Sequence, residues 1–240
     1  MAELIQLGDI AISVTRKGVK NVHLSVHPPD GRVTLVAPTS TRLDVARAYA
    51  ITRIGWIRQQ RERFAKQARE APRQYCGRET HYLWGRRHLL QVIERNEKPS
   101  IKIDHRTIYL QVRPGTQQDQ RARIMHEWHL ELLHDAIPGL IRKWEPRIGV
   151  NISVYFLQRM KTRWGSCNPH RASIRINTEL IKKPRDMIEY IVVHEMLHIL
   201  HPKHTPSFFE QLSHLYPNWR VVRSELNDLP LSAERWPAIA

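Results

Sequence analysis

One segment constrains this 240-residue chain more than any other: Ile191-Val192-Val193-His194-Glu195-Met196-Leu197-His198-Ile199-Leu200-His201-Pro202-Lys203-His204. Its kernel is H-E-x-x-H. Residues four apart on a helix lie one turn apart on the same face, so both imidazoles can reach a single ion. Met187, Ile188, Ile191, Val192 and Leu197 supply an apolar side, and neither Gly nor Pro interrupts 185–201. Pro202 then ends the helix, so the chain can turn back and offer His204 from another direction. Three nitrogen ligands and one open position are what a hydrolytic zinc site needs, and the adjacent Glu195 is placed to act as general base. With 14 histidines in the chain, the five-residue pattern is expected well under once by chance, and the fixed third histidine makes it rarer still. His201 competes with His204 for the third position. Standing only three residues after His198, it has less room to swing back, which favours His204. Metzincins carry glycine where His201 stands, so that subclass is not expected.

The remaining composition bounds the class. At 41% hydrophobic and 25% charged residues, the chain reads as globular and soluble rather than disordered or fibrous. Cys76 and Cys167 form no disulfide framework, which suggests a reducing, cytoplasmic setting. The N-terminal run lacks the pattern of a signal peptide, and no apolar run near the histidines approaches a membrane span. Lys+Arg number 38 against 23 Asp+Glu, a net charge of +15. The surplus spreads over 1–115 and 151–240 and spares 116–150. Such a surface concentrates anionic partners, nucleic acid, nucleotides or acidic peptides, without specifying a fold.

Strand-like runs at 10–14, 22–26 and 33–36, the last after the turn Pro28-Pro29-Asp30-Gly31, predict a β-meander. A helix over 42–69 follows, with Val45, Ala48, Ile51, Ile54, Ile57 and Phe64 as its apolar stripe. Arg53, Arg58, Arg61, Arg63, Lys66 and Arg69 sit on its solvated positions. Strands at 80–84, 89–93 and 107–112 end at the turn Arg113-Pro114-Gly115. A helix over 117–144 is expected to bury Ile124, Trp128, Leu132, Ile137 and Ile141, leaving His126, His129 and His134 on a solvated face. Strands at 150–156 and 172–176 precede a last long helix from Pro184 to about Leu200. No internal repeat, low-complexity tract or long linker is visible. The expected fold class is α+β: a β-rich N-terminal region over 1–115 with one long helix, and a catalytic region over 116–240 with a soft boundary between them.

His194-Glu195-Met196-Leu197-His198, followed by His204-Thr205-Pro206-Ser207-Phe208-Phe209, resembles the YgjP-like family of bacterial zinc metallopeptidases, relatives of the SprT-like and WLM groups. Arg163-Trp164-Gly165-Ser166-Cys167-Asn168 resembles that family's second hallmark, a W-G-S-C segment ahead of the active-site helix. Pro29-Asp30-Gly31 and Trp56-Ile57 recur in such proteins. The family's H-S-P-x-F-W reads H-T-P-S-F-F here. The resemblance implies a zincin-like catalytic region, zinc on His194, His198 and His204, and Glu195 as the catalytic carboxylate.

The leading expectation is a zinc-dependent peptidase in which Ala172–Asn177 serves as an edge strand for an extended substrate. Arg163 or Arg175 would steer or stabilise negative charge, and Tyr190 would either polarise a substrate oxygen or pack. The runner-up is a nucleoside triphosphate pyrophosphohydrolase using Lys161, Arg163, Arg171 and Arg175. A third reading is a nucleic-acid-associated protease or binding module. Cys167 reads as packing or support of the site rather than as a nucleophile.

Overall fold

The computed structural model describes residues 3–27, 31–66, 73–160 and 163–229. Pro28, Pro29 and Asp30 of the expected turn, Arg69 and Lys161, and the side chains of Arg63, Phe64 and Lys66 lie outside the described residues. The chain divides into two units, Met1–Glu70 and Ala71–Ala240.

In the first unit, β1 (Glu3–Leu7), β2 (Ile10–Lys17), β3 (His23–His27) and β4 (Arg32–Pro38) form one sheet in the order β1-β2-β4-β3. Strands β2 and β4 run parallel, so the expected meander is replaced by a crossover. Alternation decides the buried face: Ile10, Ile12, Val14, Val33, Leu35 and Ala37 point into the core. The single helix expected over 42–69 is two, α1 (Leu43–Thr52) and α2 (Ile54–Lys66), broken at Arg53. Buried positions are Ala46, Ala50 and Ile57, whereas Val45 and Ile51 are exposed. The small alanines let the backbone approach the sheet, a signal that hydrophobicity ranking alone misses.

In the second unit, β5 (Thr80–Leu83), β6 (Arg86–Glu94), β7 (Ser100–Asp104) and β8 (Thr107–Val112) repeat that topology. The order is β5-β6-β8-β7, again antiparallel, parallel, antiparallel, and again followed by a helix. The chain therefore contains a duplicated strand arrangement that residue-level comparison does not reveal. Strand identity in such sheets rests on alternation, which many residue combinations satisfy.

Helix α3 (Gln118–Ile148) extends past the expected end and stops at Gly149, whose φ of 79° supplies the left-handed cap. Its buried stripe is Ala122, Met125, His129, Leu133, Ile137, Ile141, Trp144 and Ile148. Ile124, Trp128 and Leu132 are only half-buried. His129 thus faces the core rather than solvent. Burial, followed by the nearby Lys182 charge, pushes its imidazole down to about 3. The third sheet holds β9 (Val154–Gln158), β10 (Gly165–Asn168) and β11 (Ser173–Asn177) in the order β10-β11-β9. Helices α4 (Arg185–Leu197), α5 (Pro206–Leu215) and α6 (Trp219–Asp228) complete the unit. The last two were not expected from the sequence. One core joins α3, α4, α5, α6 and the third sheet through Ile137, Ile174, Val192, Met196, Phe208 and Leu226. Among the described residues no helix is long and apolar enough to cross a membrane.

The turn between β5 and β6 is docked onto the short helical turn Thr178–Lys182 that leads into α4. Trp84 N–H donates to the Ile181 carbonyl at 2.8 Å and Gly85 N–H to that of Lys182 at 3.3 Å. Both turn residues have positive φ, as two-residue hairpins require. A Cβ on Gly85 would stand 2.7 Å from Pro184 Cγ, so the close approach needs glycine.

His129 yields a stability prediction. Its folded-state value lies below the ordinary 6.5, so between about pH 6.5 and pH 3 the unfolded chain binds the extra proton. Stability is then fully present above pH 6.5 and is lost as pH falls, with a slope of up to about 1.4 kcal/mol per pH unit. His129→Leu should lose less stability than wild type between pH 7 and pH 5 in urea melts; equal losses would contradict this.

Candidate metal centre

Helix α4 is apolar on almost every side: Met187, Ile188, Ile191, Val192, Val193, Met196 and Leu197 are buried. His194 lies in its last turn and His198 at its C-cap. Beyond His198 the helix tightens, with Ile199 N–H donating to Met196 and Leu200 N–H to Leu197. The chain then turns at Pro202 and re-enters as α5, capped by Thr205, whose hydroxyl accepts from Phe208 N–H. That return delivers His204 to the first two histidines. One ring nitrogen from each of His194, His198 and His204 can be chosen so that all lie within 4.8 Å of one another.

Phe208 organises the three rings. Fully buried, it packs against His194 at 5.1 Å, His198 at 4.8 Å and His204 at 4.9 Å between ring centroids. The exposed His204 also stacks on Phe209 at 5.8 Å and 18°, and Phe209 stacks on Trp219 of α6 at 5.3 Å and 17°. A single aromatic ladder thus orients the third histidine.

The donor chemistry fits a divalent cation. His204 Nε2 and His194 Nε2 face each other at 3.0 Å, where two lone pairs repel unless a proton or cation lies between them. His194 Nδ1 is buried without a partner among the described residues. Burial first, then the His198 and His204 charges, push His194 down to about 3. Burial and His198 likewise lower His204. Metal binding requires this neutral form. His198 Nδ1 pairs with the His201 carbonyl at 2.8 Å, leaving Nε2 for the ion.

Glu195 packs against Gly165 of β10. It is 5% exposed, and burial raises its carboxyl to about 8 despite the opposing Arg163 charge. A Cβ on Gly165 would stand 2.6 Å from Glu195 Oε1. The glycine of the W-G-S-C segment therefore makes room for the carboxylate. Cys167, half-buried on the same strand, has its thiol pushed up to about 11 by burial and the Glu195 charge. Both effects disfavour the thiolate, the nucleophilic form of the side chain.

A family model described as YgjP-like, metallopeptidase domain, matches residues 20–229. The chain belongs to the YgjP-like metallopeptidases. This membership implies a hydrolase with a divalent metal, and the fold is α+β; it lends no support to a nucleotide or nucleic-acid partner. Among solved structures, the metallopeptidase zymogen of Pyrococcus abyssi abylysin is 15% identical, with a TM-score of 0.35 over 38% of this chain and 90% of that one. The zymogen of Methanocaldococcus jannaschii jannalysin is 17% identical, with a TM-score of 0.34 over 38% and 92%. No curated protein matches significantly.

In this YgjP-like chain the other expected site residues divide: Arg163 and Tyr190 neighbour Glu195 and His194, and Arg175 does not. Arg163 lies just before β10, and its charge reaches Glu195. Tyr190 is buried, its ring 5.7 Å from His194 and 6.0 Å from Tyr216, with the hydroxyl raised to about 12 mainly by burial. Arg175 pairs with Ser166, one register step from the Gly165–Ile176 pair, and so sits on the opposite face from the glycine that meets Glu195. Its guanidinium lies over Phe156 at 5.4 Å. Strand β11 is not an edge: it is flanked by β10 and β9, and its run of buried residues marks a central strand. Arg223 of α6 was missed by sequence reasoning. Its charge disfavours protonation of both His194 and His204, and nothing in its local sequence distinguishes it from other helix-surface arginines.

Gly165→Ala should displace Glu195 and reduce peptide turnover by about 100-fold, the scale of an ångström-sized misplacement, while zinc content stays unchanged. Phe208→Ala should cost about 3–5 kcal/mol in denaturant melts. Wild-type turnover in the first or wild-type stability in the second would contradict these assignments.

Proposed function

We propose that this chain is a zinc-dependent peptidase with His194, His198 and His204 as metal ligands and Glu195 as general base. Carrying the proposal is the convergence of three imidazoles, two of them held neutral, beside a buried carboxylate. The catalytic part is assigned to residues 116–240, which contain every residue named in the mechanism. When bound, the ion supplies Lewis acidity that polarises a scissile carbonyl and acidifies water. His198 presents Nε2 because its Nδ1–H is engaged by the His201 carbonyl. Burial makes Glu195 a stronger base than an exposed carboxylate, suited to take a proton from water and deliver it to the departing amine. Gly165 keeps that carboxylate in place by leaving the room it occupies.

The substrate strand is assigned to β10, an edge of its sheet among the described residues. An extended peptide paired to that edge runs past Glu195, with main-chain hydrogen bonds fixing its register. Arg163, two residues before this strand, is positioned to meet negative charge; Tyr190 serves as packing behind His194 and Arg175 takes no part.

Glu195→Gln should retain one zinc per chain and lose turnover of casein or unstructured peptides by about 10²–10⁴-fold. His204→Ala should lose zinc as well as turnover. Pyrophosphate release from a nucleotide panel without proteolysis would overturn the peptide assignment, and a fully active Glu195→Gln would overturn the base.

A further inference from the structure

We infer that His201 is a positioning residue for the metal centre: its ring is anchored to α5, and its backbone carbonyl sets which nitrogen of His198 faces the ion. The inference rests on the proposed role of His198 as a ligand. A neutral imidazole carries one N–H, and the nitrogen that finds an acceptor keeps the proton. His198 Nδ1 finds the His201 carbonyl at 2.8 Å, which leaves the lone pair on Nε2.

That carbonyl belongs to the loop between α4 and α5: His201 N–H makes the last helix-type bond, to Leu197 at 3.0 Å, and Pro202 offers no N–H beyond it. The His201 ring supplies an anchor. Its Nε2 lies 2.7 Å from Gln211 Oε1, and its Nδ1 3.2 Å from Ser207 Oγ. The amide oxygen of Gln211 only accepts, so His201 Nε2–H donates to it, and Nδ1 accepts from the Ser207 hydroxyl. Both ring nitrogens are committed to α5, so His201 is a support for the loop rather than a rival ligand. The connection runs from α5 through the ring and main chain of His201 to the His198 imidazole. It also closes the loop that carries His204, because Ser207 and Gln211 lie beyond that residue in sequence. One residue thereby orients one proposed ligand through its carbonyl and restrains the path to another through its ring.

Zinc affinity, measured by competition with a chromogenic chelator, tests this without relying on catalysis. Gln211→Leu removes the acceptor and should weaken zinc binding about tenfold, the lower end of the range for outer-shell partners of metal-bound histidines. Gln211→Glu keeps an acceptor oxygen and should retain wild-type affinity. The cobalt-substituted leucine variant should also show a shifted visible spectrum, and Gln211→Met repeats the test if the leucine variant does not fold. Wild-type affinity in the leucine or methionine variant, or equal losses in the glutamate and leucine variants, would overturn the inference while leaving the ligand assignment intact. Wild-type protein that binds no zinc would overturn both.

Discussion

Three imidazoles packed on one buried phenyl ring are the constraint on which the rest of the site depends. Phe208 sits within 5.1 Å, centroid to centroid, of His194, His198 and His204. Such a cluster cannot carry three protons, since each added charge raises the cost of the next in a partly desolvated space. Burial holds His194 and His204 below the usual imidazole range, and their facing ring nitrogens repel until a cation lies between them. The same requirement explains the path of the chain: α4 stops at His198, the main chain turns, and α5 brings His204 and Phe208 back together.

Helix α4 is held at several points along its length. The turn of the β5–β6 hairpin sits against Pro184 at its start. Glu189 accepts from both Lys143 and Trp144 Nε1 of α3. At Glu195, β10 approaches so closely that only glycine fits at position 165. These contacts fix rotation about the helix axis as well as translation. That matters because a motif with the proposed ligands on one face and the proposed base on a neighbouring residue works in only one rotational setting. The buried carboxylate is costly on its own, and its cost is borne by the apolar packing around it.

The pairing of His194 with His198 was legible because helical geometry converts a four-residue spacing directly into proximity. The return of His204 was legible from Pro202. Other features were not. The role of Gly165 is a missing Cβ, visible only once Glu195 has a position. His129 reads as polar in any residue scale, yet its spacing from Met125 and Leu133 places it in the buried stripe. Strand order was lost for a related reason: alternation identifies a strand and its buried face but says little about its neighbour. Hence the meander that is a crossover, the supposed edge strand that is central, and the duplicated four-stranded arrangement hidden by divergent residues. Helix α5 carries its own start signal in Thr205-Pro206.

X-ray absorption at the zinc edge of the metal-loaded protein tests the central claim most directly. The account predicts a first shell of nitrogen and oxygen at about 2.0–2.1 Å, with multiple-scattering features from three imidazoles and no sulfur at about 2.3 Å. A sulfur contribution from Cys167, or fewer than three imidazoles, would contradict it.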